Sequence, residues 1–181
     1  MIRLPRWTCI ALALFLIAAV AEPASANVKI KKISPDAKQL VVTGKDGKDH
    51  TYQVGDDTKI LLSTGKQGKL GDLKEGQSIA LAHEKIGGKP TARVILDCQG
   101  AFKNGELAHG MVQSVAADKR EFVLKEAKDK QATFTFADSG RITLNDKSSK
   151  LDDLKKGDHI VVAFEKKNGK NMAMCVCSWP K

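Results

Sequence analysis

Two heptapeptides decide the fold of this chain: LGDLKEG at residues 70–76 and LDDLKKG at residues 151–157. They lie 81 residues apart, and the similarity continues beyond them in both directions. Between positions 70 and 96, 12 of 27 residues are identical to the residues 81 positions further on. Upstream the offset is 82, so that Tyr52 corresponds to Phe134. Most of the chain is therefore a tandem duplication, with a period longer than the roughly 20 to 50 residues of solenoid repeats.

The duplication predicts two domains that follow a leader and are joined by a linker. We place the first domain at residues 27–98 and the second at residues 109–181. Residues 99–108 form the predicted linker, in which Gly100 and the dipeptide Asn104-Gly105 favour turns. A domain of ~70 residues is only marginally stable alone, so packing of the two copies against each other would stabilise both.

Each copy contains short segments with the alternation of apolar and polar residues that is typical of β-strands. In the first copy we expect strands at 28–33, 38–43, 49–54, 58–62, 77–85 and 91–98. The dipeptides Asp46-Gly47, Gly87-Gly88 and Asn168-Gly169 are typical of tight hairpin turns between such strands. The sequence therefore predicts about six short strands in each copy.

The heptapeptides themselves predict a single helical turn. Leu70 and Leu73 lie three residues apart, as do Leu151 and Leu154, so each pair would face one way. We expect each turn to plug one end of a barrel. Six short strands with one plug favour a small OB-like or SH3-like barrel, because closure removes exposed sheet edges. The expected fold class is all-β with two tandem barrels, and the alternative is one two-sheet sandwich built from both halves.

Three motifs resemble a bacterial domain of unknown function that occurs in exported proteins. They are the tetrapeptide at residues 57–60, Asp-Thr-Lys-Ile, the pattern Leu-x-Asp-Leu-Lys-x-Gly of both heptapeptides, and the Val-x-Val-type strand that follows. The resemblance covers nearly all of the chain after residue 26 and implies a small β-barrel in tandem copies. It implies no established activity or cofactor. The second copy departs from the pattern at Ser139-Gly140-Arg141, where Asp-Thr-Lys would stand.

Residues 1–26 have the pattern of a secretory signal peptide. Arg3 and Arg6 provide positive charge, an apolar run of 12 residues spans 9–20, and Ala24-Ser25-Ala26 is a small-x-small cleavage site. The run is too short to cross ~30 Å of hydrocarbon as a helix, although an uncleaved anchor is the alternative. We therefore expect cleavage after Ala26 and a periplasmic or secreted protein without a transmembrane segment.

Three cysteines remain after cleavage, in a compartment that favours disulfides. Cys175 and Cys177 lie two apart, so strand alternation places them on one face, and we expect both in the core of the second barrel. A disulfide of Cys98 with either of them is the alternative. The three thiols leave both possibilities open.

Strand alternation also predicts a weak metal site. It places Met172 and Met174 on the face opposite the two cysteines, where His159 of a neighbouring strand could join them. Thioether sulfur is a ligand that Cu(I) prefers. The alternative function is therefore a periplasmic copper-type metal-binding protein.

The sequence contains no catalytic signature. There is no His-x-x-x-His, Cys-x-x-Cys, Gly-x-Ser-x-Gly or phosphate loop in it. The pair Asp56-Asp57 is interpreted as part of a turn and not as a cation site. We therefore expect a non-enzymatic protein without a cofactor.

Charge is the remaining functional signal. The chain carries 30 Lys and Arg against 21 Asp and Glu, and loss of the leader leaves a net charge of +8. Lysines outnumber arginines 25 to 3 after residue 26, which favours diffuse attraction to an anionic polymer or envelope surface.

The first copy has one aromatic strand residue, Tyr52, which is too few for base stacking, so we expect no sequence-specific nucleic-acid recognition. Our candidate ligands for an anion are Lys29, Lys31, Lys32, Lys66 and Lys69. The alternative is a solvated surface in which lysine guards the sheet edges.

Overall fold

The structure is a computed structural model that describes residues 28–97 and 105–179. The first sheet contains β1 (Val28–Ser34), β2 (Gln39–Thr43), β3 (Asp49–Leu61), β4 (Ser78–Ile86) and β5 (Lys89–Asp97). The second contains β6 (Glu106–Ala116), β7 (Glu121–Lys125), β8 (Gln131–Leu144), β9 (Lys147–Ser149), β10 (His159–Lys167) and β11 (Lys170–Ser178). Within these described ranges the helical segments are four 3₁₀ turns, at Leu70–Asp72, Ala117–Lys119, Ala127–Asp129 and Leu151–Asp153. The predicted all-β fold class is confirmed.

Both sheets follow one circuit. The first closes in the order β1-β2-β3-β5-β4, and β4 pairs again with β1. The second follows β6-β7-β8-β11-β10, and β10 pairs again with β6, while the short β9 adds to β8. In each circuit one pair is parallel, β3 with β5 and β8 with β11. Five-stranded closure of this kind is the OB type of barrel, so the two-sheet sandwich is excluded.

The two circuits also share their strand register. Val54 pairs with Ala92, and the corresponding residues Phe136 and Ala173 pair in the same way. The bulge in the hairpin β4–β5 recurs at the corresponding position of the hairpin β10–β11. A bulge fixes a local bend and changes the face to which the following residues point. The duplication therefore preserves the detailed shape of the barrel as well as its topology.

Each barrel encloses its own hydrophobic core, to which the helical turns contribute as predicted. Leu73 is buried in the first core, and Leu70 packs against it. Leu151 and Leu154 are both buried in the second core. The largest fully buried side chains of the two cores include Ile30, Leu40, Ile79, Leu81, Phe122, Phe134 and Ile160.

Two strands predicted separately at 49–54 and 58–62 are one continuous strand, β3. Its pairing with β5 shifts register between Val54 and Lys59, so one bent strand follows the barrel wall. Thr58 fills the gap in the ladder: its hydroxyl accepts the Gly55 N–H at 2.9 Å and donates to the Ala92 carbonyl at 2.7 Å. The barrel circuit therefore has five strands where the sequence predicted six.

A third hydrophobic cluster joins the two barrels. Its buried members are Leu61, Ala80, Ala82, Val94 and Leu96 of the first barrel with Val161, Ala163 and Cys177 of the second. Ala80 corresponds to Val161, Ala82 to Ala163, and Leu96 to Cys177, so equivalent outer faces meet. Strands β4 and β10 are consequently buried on both faces. We call these residues the interdomain cluster.

Several sequence predictions lie wholly or partly outside the described residues. The leader 1–26 and Cys98 are among them, and β6 begins at Glu106, inside the segment 99–108 assigned to the linker. The domain bounds therefore stay a prediction. Within the described residues no helix is long and apolar enough to cross a membrane.

Candidate functional site

The five candidate lysines are exposed on the first barrel, in two places. Lys29, Lys31 and Lys32 lie on β1, and Lys66 and Lys69 lie in the loop between β3 and β4. Lys31 is ion-paired with Asp49, and this contact holds the pKa of the carboxyl below its usual value. The other four make no ion pair with a described residue.

Lys66 also lines a groove between the two barrels, which we call the interdomain groove. The groove has a volume of about 540 Å³ and lies between residues 64–66 of the first barrel and strand β8 with the β8–β9 hairpin of the second. Four cationic side chains line it: Lys66, Arg120, Arg141 and Lys150. None of the described residues that line it is Asp or Glu. The groove therefore concentrates positive charge from both barrels.

Phe136 packs closely against a glycine in the groove wall. A side chain at Gly140 would place its Cβ 2.8 Å from this ring, so only glycine permits the ring's position. The guanidinium carbon of Arg120 lies 6.0 Å from the centre of the same ring, and Arg120 is ion-paired with Asp138. The ring face is thus already in contact with a cation.

Only one cation of this groove, Lys66, was predicted from the sequence as a ligand. The other residues lie 54 to 84 positions away from Lys66 in the chain and were not predicted: Arg120, Phe136, Arg141 and Lys150. The one available signal was the departure of the second copy from the family pattern at residues 139–141. That departure contributes both the glycine that accommodates Phe136 and the arginine of the groove.

The structure does not bring the three weak metal candidates together. His159 begins β10, whereas Met172 pairs with Glu165, six residues further along the same strand. At ~3.3 Å per residue, these positions are about 20 Å apart. Met174 lies instead against the interdomain cluster. Within the described residues no group of three or more His, Cys, Asp or Glu is arranged to hold a metal ion.

The prediction that Cys175 and Cys177 point into the second barrel core is wrong. Ala173 pairs with Phe164 while Cys175 pairs with the adjacent Ala163, which makes Met174 an extra, bulged residue. The bulge reverses the faces, so Cys177 is buried in the interdomain cluster and both Cys175 and Met174 pack against it. Burial raises the pKa of the Cys177 thiol to about 12.

The bulged residue of the first barrel, Arg93, is a buried cation. It is ion-paired with Asp57, and its Nε lies 3.0 Å from Oε1 of Glu84. The interpretation of Asp56 and Asp57 as turn residues is therefore wrong: both lie in β3, where Asp57 faces this arginine. The two carboxylates neutralise the arginine, so this place carries no excess positive charge for an anionic ligand.

Two histidines are half-buried beside aromatic rings. The ring centre of His83 lies 4.9 Å from that of Tyr52, and the ring centre of His109 lies 5.0 Å from that of Trp179. Burial lowers the pKa of both imidazoles. Both rings are therefore favoured in their neutral form.

Comparisons with known proteins leave the chain without a family. No family model matches the sequence, and no curated protein is significantly similar to it. Solved structures of CusF resemble part of the chain at TM-scores of 0.33 to 0.34. The silver(I) form is 12% identical and covers 42% of this chain and 99% of its own. A copper(II)-bound tryptophan-to-alanine variant from Escherichia coli is 14% identical and covers 41% and 90%. Apo-CusF from Escherichia coli is 14% identical and covers 44% and 93%. Similarity of this degree assigns no ligand to the chain.

Proposed function

We propose that this chain is an exported, non-enzymatic module that binds an anionic polymer or envelope surface through its basic surface. The supporting observation is that four of the five candidate lysines are exposed and make no ion pair with a described residue. With the leader removed after Ala26, the net charge is +8. The proposal includes domains at 27–98 and 109–181, a linker at 99–108, and a periplasmic or secreted location.

Such binding depends strongly on salt. Charges on an exposed surface are screened beyond about 8 Å at physiological ionic strength. When a partner carries condensed counterions, the logarithm of the affinity falls by about 0.7 to 0.9 per neutralised charge for each tenfold rise in salt. The candidate lysines occupy two separate places, so we expect only a few to act together. The expected binding is weak, salt-sensitive and independent of polymer sequence.

The proposal is tested by titrating the mature protein with heparin, DNA and anionic vesicles at two salt concentrations. Replacing Lys29, Lys31, Lys32, Lys66 and Lys69 by Gln should weaken binding and flatten the salt dependence. A matched control replaces five other exposed lysines, Lys45, Lys85, Lys128, Lys155 and Lys167, and removes the same charge. Failure of the unmodified protein to bind any of the three polyanions at low salt would refute the proposal.

Soft-metal binding through the Met/Cys strand is the second candidate function. The bulge favours it, because it places Met174 against the same cluster as Cys177, contrary to simple alternation. A thioether and a thiolate are ligands that Cu(I) prefers, although the metal would have to displace the thiol proton of Cys177. Cu(I) titration should then show weaker binding for Met174→Leu and unchanged binding for Met172→Leu. Equal affinity of both variants and the unmodified protein would exclude a role for Met174.

A further inference from the structure

Corresponding cations of the two barrels meet different partners where the barrels join. Lys59 and Arg141 occupy corresponding positions, 82 residues apart. Lys59 reaches the second barrel, where its Nζ lies 3.0 Å from Oδ1 of Asp146 in the turn between β8 and β9. The Arg141 side chain lies against Gly65, in the corresponding loop of the first barrel. That loop has Thr64-Gly65 where the second barrel has Asp146.

Of these two cations where the barrels join, Lys59 is therefore neutralised by a carboxylate of the opposite barrel and Arg141 is not. Arg141 makes no ion pair with any described residue, and neither do Lys66 and Lys150 beside it in the interdomain groove. Arg120 has Asp138 as its partner, but that carboxylate is 93% exposed and does not line the groove. Water largely screens so exposed a pair. The groove thus holds an excess of positive charge that no carboxylate of its described lining neutralises.

Arginine is also concentrated here. Only three arginines follow residue 26, and two of them, Arg120 and Arg141, line the groove. The third, Arg93, is buried with two carboxylates at the bulge. The planar guanidinium presents several N–H donors in a fixed fork that matches the paired oxygens of a phosphate or sulfate group. Lysine contributes charge at such a site without that geometric selectivity.

We infer that the interdomain groove binds the sulfate or phosphate ester groups of an anionic glycan, with Arg141 as the central ligand. This inference rests on the proposed function and assigns it a place and a ligand chemistry. The hydroxyls of Thr64 and Ser148 line the same groove and can donate hydrogen bonds to sugar hydroxyls or accept them. The Ser149 hydroxyl donates to the Lys147 carbonyl at 3.2 Å and can accept a further hydrogen bond. Phe136 is the one ring in the groove and already contacts Arg120, so a stacking platform for nucleic-acid bases is missing from the described lining.

The site requires both barrels in their packed arrangement. Lys66 and Thr64 come from the first barrel, while Arg120, Arg141 and Lys150 come from the second. The interdomain cluster holds these two sets of side chains in place. Binding at the groove is therefore a property of the whole chain.

The experiment measures affinity of the full mature chain for a heparin octasaccharide at low salt. Arg141→Gln should weaken binding about tenfold, as expected when a hydrogen-bonded charge is lost. Lys59→Gln is the matched control, because it removes the same charge at the corresponding, already neutralised position, and it should change the affinity less than twofold. Arg141→Lys keeps the charge but loses the fork, so we expect an intermediate affinity.

A second variant keeps Arg141 and changes a loop residue of the first barrel instead of a residue of strand β8. Thr64→Asp introduces a carboxylate where the other junction has Asp146, and it should weaken binding as strongly as Arg141→Gln. If Lys59→Gln weakens binding as much as Arg141→Gln, attraction is diffuse and the groove is refuted while the proposed function stands. Absence of binding by the unmodified chain refutes both. Equally tight, equally Arg141-dependent binding of single-stranded DNA with the same number of charges overturns the assignment to a glycan.

Discussion

Leu96 of the first barrel and Cys177 of the second occupy corresponding positions and are buried together in the interdomain cluster, at 1% and 3% exposure. Two copies that pack through equivalent surfaces have the geometry of an isologous dimer contained in one chain. This packing covers the outer faces of β4 and β10. A single barrel of ~70 residues would leave those apolar faces in water and would be only marginally stable.

Shortening a side chain in the interdomain cluster should therefore destabilise the whole protein. We expect Leu96→Ala to lower the free energy of unfolding by about 2 to 5 kcal/mol, because it removes buried methyl groups and leaves a cavity. Urea denaturation measures this difference. Ile86→Ala is the control: Ile86 is 46% exposed, and its loss should cost less than about 0.5 kcal/mol. Equal effects of the two variants would show that the barrels do not stabilise each other.

Gly110 should tolerate no side chain. A Cβ at this position would lie 2.1 Å from the Lys125 carbonyl oxygen, a backbone atom that cannot rotate away. We expect Gly110→Ala to destabilise the protein by at least about 1 to 3 kcal/mol, the usual cost of overpacking. Gly71→Ala is the matched control, since nothing lies within 4 Å of a Cβ there. An equal change in the thermal unfolding midpoint of both variants would contradict the steric clash at position 110.

Repetition and alternation in the sequence predicted the architecture, because each barrel's topology repeats with its sequence. Leu73 and Leu154 plug their cores as the heptapeptides predicted. Alternation failed at Met174, because the bulge there, like the one at Arg93, adds one residue to a strand without altering the apolar pattern around it. Every face assigned after the bulge was therefore reversed, including that of the two cysteines.

The interdomain groove could not be predicted for a different reason. Its cations come from separate segments, and their proximity depends on how the barrels pack. That packing rests on Ala80, Ala82 and their counterparts, which alternate with core residues of β4 and β10. Since those strands are apolar on both faces, the sequence does not distinguish the residues that fill a barrel from those that join two barrels.

Cys177 should be unreactive toward alkylating reagents in the folded protein. Its thiol is buried between the barrels, and its pKa of about 12 leaves almost no thiolate at pH 8. Thiolate is the reactive form toward alkylating reagents. Mass spectrometry after iodoacetamide treatment should find Cys177 unmodified in native protein and fully modified in urea. Modification of native Cys177 at the rate seen in urea would show that the interdomain cluster opens readily.

Mild acid should destabilise the protein through His83 and His109. Burial is the main cause that lowers both folded-state pKa values below 6.5, and the neighbouring cations of His83 lower its pKa further. Below pH 6.5 the unfolded chain therefore binds protons that the folded chain resists, so stability is fully present above this pH and falls as the pH drops. Three carboxylates also have lowered pKa values: Asp46, Asp49 and Asp129. Their ordinary pKa is 3.8, so they change stability only at lower pH.

Urea denaturation at pH 7, 6 and 5 measures this effect. The free energy of unfolding should fall by at most about 1.4 kcal/mol per pH unit for each histidine. His83→Gln and His109→Gln should each reduce this slope, because each removes one imidazole whose folded-state pKa is lowered by burial. A protein that gains stability between pH 7 and 5 would contradict the burial of these two rings.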